Sequence, residues 1–230
     1  MRHLLLSICI LAALMAGATV DASASWYLHF TGFLYGTGQG VSVRVDGTNY
    51  NNMGLGPVTG WRSAVANPTE LLKEYFEDPL YCLDIFHSYT WSDSWWADAH
   101  LVPPYNYPPP YNTAEAAWIY ESYGTGPMSA DEAKGVQLAL WEVSHEQAWR
   151  TNYLASNQTW ASEGGFQITG GANSGSRTVA TSVLDALYTQ DPGTLTASAV
   201  YYRPIEYDGG SQGMLTDRKS TRLNSSHRLR

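Results

Sequence analysis

Only two cysteines occur in the 230 residues, and the first, Cys9, lies inside an N-terminal apolar run. Arg2 and His3 precede that run. It extends from Leu4 to Ala16, too short to span a bilayer, and Asp21-Ala22-Ser23-Ala24 then supplies the Ala-x-Ala pattern that signal peptidase reads. Residues 1–24 are therefore expected to be a secretion signal cleaved after Ala24, with Cys9 discarded. The body of the chain then keeps one thiol, Cys82. It cannot staple itself with a disulfide, so the fold must rest on its own apolar core. The thiol is left intermolecular, reactive or committed to another bond.

The other end is read in the same way. Asp217 to Arg230 (DRKSTRLNSSHRLR) holds five of the 13 Lys and Arg residues and has no apolar periodicity. The string resembles a tail translated from sequencing adaptors, so residues 218–230 are expected to be artefactual, and 206–217 to begin a linker or a truncated C-terminal region. About 190 residues lie between the ends, enough for one domain or two intimate subdomains. Residues 25–217 carry twenty Asp and Glu against seven Lys and Arg, a balance that argues against nucleic acid and anionic membranes as partners. No second apolar run reaches membrane-spanning length. With 13% aromatic residues the chain has ample material for a core.

Periodicity changes along the chain. Residues 25–66 alternate as strands do, with Trp26, Leu28 and Phe30, then Val41, Val43 and Val45. Asn67-Pro68-Thr69-Glu70 predicts a short capped helix carrying Leu71, Leu72, Tyr75 and Phe76. Tyr81 to Phe86 reads as a short strand. Residues 88–111, with Trp91, Trp95, Trp96 and the proline-rich stretch 102–111, read as a long ordered loop. Helices are predicted from Asn112 to Tyr123, capped by Asn112 with Glu115 and stopped by Gly124, from Ser129 to about Arg150 with Glu132 completing a capping box, and from Thr178 to Thr189. A hairpin is expected around 166–169 and a strand over 195–202. This order suggests α+β: an antiparallel sandwich or barrel-like β subdomain with an inserted or adjacent small helical bundle over about 112–190.

Successive helical residues advance by about 100°. Ala133, Gln137, Leu140, Trp141, Ser144 and Ala148 then share a stripe, with Val136 and Val143 at its edge. A glutamine inside such a stripe is costly unless its amide finds partners or is consumed chemically. From this helix alone, a buried and satisfied glutamine is the better reading.

Two motifs together shift that reading. Tyr81-Cys82-Leu83-Asp84 resembles the aromatic-Cys-apolar-acid motif of the bacterial surface thioester domains, and Val136-Gln137-Leu138-Ala139-Leu140-Trp141 resembles their apolar-Gln-x-apolar-apolar-Trp motif. The resemblance covers roughly residues 25–205 and is only architectural outside the motifs. It implies an internal thioester between Cys82 and Gln137 on a secreted, cell-surface adhesion domain. The partner would be a surface or matrix macromolecule with a nucleophilic amine such as Lys. No cofactor or metal is implied, and no enzymatic turnover. Trp141 and Tyr81 are of the right type to exclude water. Asp84, His145 and His87 are the candidates for moving protons, and the residues do not choose among them; Asp84 lies on the same side as Cys82 if the segment is a strand.

Two other classes compete. A cysteine hydrolase would need a His beside Cys82, with His87, His100 and His145 available, but it leaves the Gln137 motif unexplained. His145-Glu146-Gln147-Ala148-Trp149 nearly matches a zinc-protease helix, yet Trp149 stands where the second His belongs. The Trp-rich stretch fits a non-covalent module that stacks aromatics on sugars or Pro-rich ligands. Asn157-Gln158-Thr159 matches a glycosylation sequon, which has no force in an ordinary bacterial chain.

Overall fold

The computed structural model describes residues 25–38, 40–85, 94–102, 111–155, 164–196, 199–204 and 214–217. The expected signal segment, His87, Trp91, the proline-rich stretch 103–110, the sequon and the C-terminal tail lie outside the described residues. The architecture is mixed α+β: a curled antiparallel sheet forming a half-barrel, with four helices among the described residues.

Strand β1 (Ser25–Phe33) buries every second residue, Trp26, Leu28 and Phe30, as its alternation predicts. It pairs antiparallel with β4 (Val58–Ser63) on one side and β7 (Ser94–Val102) on the other. The sheet continues from β7 through β9 (Ala199–Pro204) and β10 (Met214–Asp217) to β6 (Tyr81–Cys82), and β5 (Glu74–Tyr75) edges β4. Leu80, just before β6, exchanges backbone hydrogen bonds with Val58 of β4 at 2.9 and 3.0 Å. The far end of the sheet thus curls back toward its near end. A smaller sheet joins β3 (Thr48–Gly54), β2 (Gly40–Val45) and β8 (Phe166–Gly170) in that order.

Two cores result. Trp26, Leu28, Phe30, Trp95, Ala97, Tyr202, Met214 and Cys82 pack in one cluster within the large sheet. Tyr81, Leu83, Tyr201, the valines of β2 and the buried faces of the helices form the other. Because side chains alternate across a strand, β6 gives Tyr81 to the helical core and Cys82 to the sheet core.

The helices are α1 (Thr113–Tyr123), α2 (Ala130–His145), α3 (Trp149–Ala155) and α4 (Ser174–Tyr188). At the start of α2 the capping box is complete: the Ser129 hydroxyl accepts from the Glu132 N–H, and the Glu132 carboxylate accepts from the Ser129 N–H. Every residue from Ala133 to His145 is buried, so α2 has no solvent stripe and forms the axle of the helical unit. Gly135 permits this on one side, since a Cβ there would strike Val179 and the Ser176 carbonyl of α4.

Several expectations need correction. Residues 94–102 are a central strand, not loop: Trp95 and Ala97 alternate inward, and the prolines begin only at 103. The capped helix after Asn67 shrinks to a 3-10 turn, Glu70–Leu72, because Leu71 and Leu72 find nothing to pack on and stay 96% and 53% exposed. Asn112 does not cap α1. It sits in the left-handed region (φ 47°), and its Nδ2 donates to the carbonyls of Val143 (2.8 Å) and Glu146 (3.0 Å), capping the C-terminus of α2 instead. Glu115 has no capping role and lies 3.6 Å from Arg150. Helix α2 stops at His145, because Glu146 turns extended and its carboxylate accepts from the N–H groups of Gly165 and Phe166. Ala148 is therefore off the predicted stripe and exposed. The expected 166–169 hairpin is one strand, β8, paired to β2. Helix α4 begins four residues earlier than read, with Asn173 accepting from the Ser176 N–H. The last predicted strand starts at Ala199 rather than Leu195.

Candidate functional site

Strand β6 has a free edge, and α2 covers it with side chains. Gln137 is fully buried and meets a single residue there. The Cys82 N–H donates to Gln137 Oε1 at 3.3 Å, and Gln137 Nε2 donates to the Cys82 carbonyl at 2.6 Å. The carboxamide thus bonds to Cys82 as a neighbouring strand would.

Two turns further along α2, Ser144 and His145 hold the next residues. Ser144 Oγ lies 3.4 Å from the Leu83 carbonyl, and His145 Nε2 lies 2.8 Å from the same oxygen and 3.3 Å from the Ile85 nitrogen. The shorter contact assigns the ring hydrogen to Nε2, donating to Leu83. His145 is only 3% exposed, and burial depresses its pKa to about 4, so the ring is neutral.

The Cys82 thiol donates to the Asp84 carbonyl at 2.9 Å. Burial pushes its pKa well up, the Asp84 carboxylate raises it further, and hydrogen bonding from the Asp84 backbone and the Trp141 indole offsets part of the rise. The Trp141 indole nitrogen makes no hydrogen bond of ordinary geometry, so its effect on the sulfur is weak. The resting sulfur is a thiol, not a thiolate.

The structure therefore brings together Cys82, Gln137, Tyr81, Asp84, Trp141 and His145, all buried. The route for Asp84 differs from the one expected. β6 ends at Cys82, so strand alternation does not place Asp84; the irregular segment that follows does, presenting its carbonyl to the sulfur. Tyr81 contributes a ring packed edge-on to Tyr120 at 5.9 Å, with its hydroxyl 3.2 Å from the Met128 sulfur. Sequence reasoning missed Ser144 as a backbone partner and Asn112 as the residue that fixes the end of α2. An Asn before a helix reads as its own N-cap, and no local signal marks it as the cap of another helix.

For the rival classes, the Cys82 sulfur donates to the Asp84 carbonyl and His145 Nε2 to the Leu83 carbonyl, not to each other. Trp149, standing in the second metal-ligand position, is buried in α3, and no group of three or more His, Cys, Asp or Glu able to hold a metal occurs among the described residues. Trp95 faces the sheet core. Trp96 is 37% exposed and meets Tyr27 edge-on at 5.5 Å on the outer surface of the sheet. Among the described residues no helix is long and apolar enough to cross a membrane. Comparison of the chain with known protein families, with curated proteins and with solved structures finds no match in any of the three.

Proposed function

We propose that Cys82 and Gln137 form an internal thioester, and that the domain, exported to the bacterial surface, uses it to capture an amine on a surface or matrix partner. The observation that carries the reading is the pair of hydrogen bonds between the Gln137 carboxamide and Cys82. In the forming step Sγ attacks Gln137 Cδ, the Cδ–Nε2 bond breaks, and the thiol proton leaves with the nitrogen as ammonia. Negative charge develops on Oε1, which already accepts from the Cys82 N–H, a donor aimed where the transition state needs it.

A raised thiol pKa makes direct attack by thiolate rare, so proton removal must accompany attack. The Asp84 carboxylate, close enough to perturb the thiol, is the better candidate for relaying that proton. His145 is neutral and its Nε2 hydrogen is committed to the Leu83 carbonyl, which makes it a positioning residue. Fixed geometry offsets the poor electrophilicity of an amide, as intramolecular reactions reach effective molarities of roughly 10⁵ to 10⁸ M. Burial of Tyr81, Leu83 and Trp141 keeps water from the product. The reaction happens once per chain, so no turnover is expected. No cofactor or metal enters it.

Incubation with methylamine tests the function. The reading expects one amine added per chain and one newly titratable thiol at Cys82. A chain that carries the cross-link yet resists every amine would make it purely structural.

A second reading keeps Gln137 as a satisfied core residue, since both groups of its carboxamide already have partners. The half-exposed Trp96 with Tyr27 would then mark a non-covalent aromatic surface.

A further inference from the structure

The two bonds of Gln137 end on the main chain of one residue. The N–H and C=O of a strand residue leave the backbone on the same edge, close together. A planar carboxamide reaches both at once in one orientation only. Its oxygen and the hydrogen syn to that oxygen must face Cys82, while the anti hydrogen points away. A secondary amide reverses this. Its favoured trans isomer carries the substituent carbon syn to the oxygen and leaves the hydrogen anti.

We infer that the Cys82 main chain accepts Gln137 only as a primary carboxamide, so a captured amine leaves an acyl group that Cys82 re-attacks slowly. The inference rests on the thioester reading. In capture, the amine nitrogen attacks Cδ, the Cδ–Sγ bond breaks, and the sulfur leaves with a proton as the Cys82 thiol. In reversal, Sγ attacks Cδ, the Cδ–Nε2 bond breaks, and the thiol proton departs on the amine. For the primary amide, the clasp holds Oε1 against the Cys82 N–H throughout reversal. For a trans secondary amide, the substituent carbon would occupy the place of the hydrogen that now reaches the Cys82 carbonyl at 2.6 Å. Gln137, Tyr81, Leu83 and Trp141 are all buried, so that carbon must push the carboxamide out of register. The Oε1 contact to its activating donor goes with it. Keeping the clasp would require the cis isomer, disfavoured roughly 10²-fold for a simple secondary amide. The same fold that promotes loss of ammonia from its own glutamine thus retains a captured lysine.

The test uses the full chain in three parallel arms. Purified protein is treated with ammonia, methylamine or dimethylamine to open the thioester, freed of amine by rapid desalting, and followed by intact mass and thiol titration. The ammonia arm should regain the thioester fastest, the methylamine arm roughly 10²-fold more slowly, and the dimethylamine arm, with no N–H left, no faster than methylamine. A methylamine adduct that reverts as fast as the ammonia form overturns this inference and leaves the thioester intact. A chain at full mass throughout, with no ammonia lost, overturns the thioester reading and this inference with it. Cys82→Ala supplies a check that needs no cross-link, because the clasp uses only main-chain atoms of residue 82. Its Gln137 side-chain amide should show one slowly exchanging proton, the one syn to Oε1; two protons exchanging equally fast would overturn the clasp.

Discussion

Helix α2 buries polar side chains on two faces and treats them oppositely. On the face toward residues 82–85, Gln137 and His145 bond to the main chain of a short segment. On the face toward α3 and α4, Glu142 is 2% exposed and its Oε2 finds no hydrogen-bond partner. Its pKa is raised well above 4.5, first by burial and then by the nearby Glu146 carboxylate. Tyr153, whose own hydroxyl donates to Asp185, feels the Glu142 charge as well. One face gives polar groups directional partners. The other buries a carboxyl in surroundings that favour its protonated form. A polar residue in a buried helix is thus not by itself a sign of chemistry. What distinguishes Gln137 is that both its bonds converge on the residue carrying the sole thiol among the described residues.

The sharpest break between the faces comes from removing the clasp. Gln137→Ala should abolish ammonia loss and leave two buried main-chain groups unpaired, at a cost of about 2–5 kcal/mol. Cys82→Ala should also abolish it but cost only about 1–2 kcal/mol beyond loss of the cross-link, since its unreacted Gln137 keeps both bonds to the main chain of residue 82. Denaturant melts of the two variants compare these directly. Equal costs would mean that the thiol, not the backbone, holds Gln137.

The faces should also differ in sign with pH. His145 has a folded pKa of about 4 against an ordinary 6.5. Its contribution is therefore present above pH 6.5 and lost as pH falls toward 4, on the order of 3 kcal/mol in all. Glu142 runs the other way. Its folded pKa lies above 4.5, so its contribution is greatest below that pH and is lost as pH rises, by at most about 1.4 kcal/mol per unit. Between pH 4.5 and 6.5 the two slopes oppose each other. Glu142→Gln should remove the loss that Glu142 brings as pH rises above 4.5 and expose the acid loss of His145. An unchanged pH profile in that variant would contradict the assignment of the protonated carboxyl.

The smallest effect concerns the end that both faces share. Asn112→Gly keeps the left-handed backbone but removes two hydrogen bonds to the last turn of α2, at a cost of about 1 kcal/mol. Thermal melts suffice to see it. Asn112→Ala should cost more, since Ala disfavours φ 47°.

Local rules made much of this legible. The alternation of Trp26, Leu28 and Phe30, the Ser129 capping box and the pairing of Cys82 with Gln137 follow from patterns within a few residues or from the two motifs. What stayed hidden depends on distant partners. Trp95 looks like a loop aromatic until β1 and β9 flank it. Leu71 and Leu72 look like a helix face, but both stay exposed. Glu146 ends α2 because Gly165 and Phe166, nineteen and twenty positions on, offer their N–H groups. Asp84 reaches the sulfur through an irregular segment that no periodicity announces.

Whether the fold drives Cys82 and Gln137 to react can be read from one mass. Intact mass of the purified chain under denaturing, non-reducing conditions tests it most directly, with Cys82→Ala and Gln137→Ala alongside. The account predicts that the unmodified chain lacks the mass of one ammonia and shows no free thiol at Cys82, while each variant has its full mass. An unmodified chain at full mass with Cys82 titratable, or either variant still short of one ammonia, would contradict it.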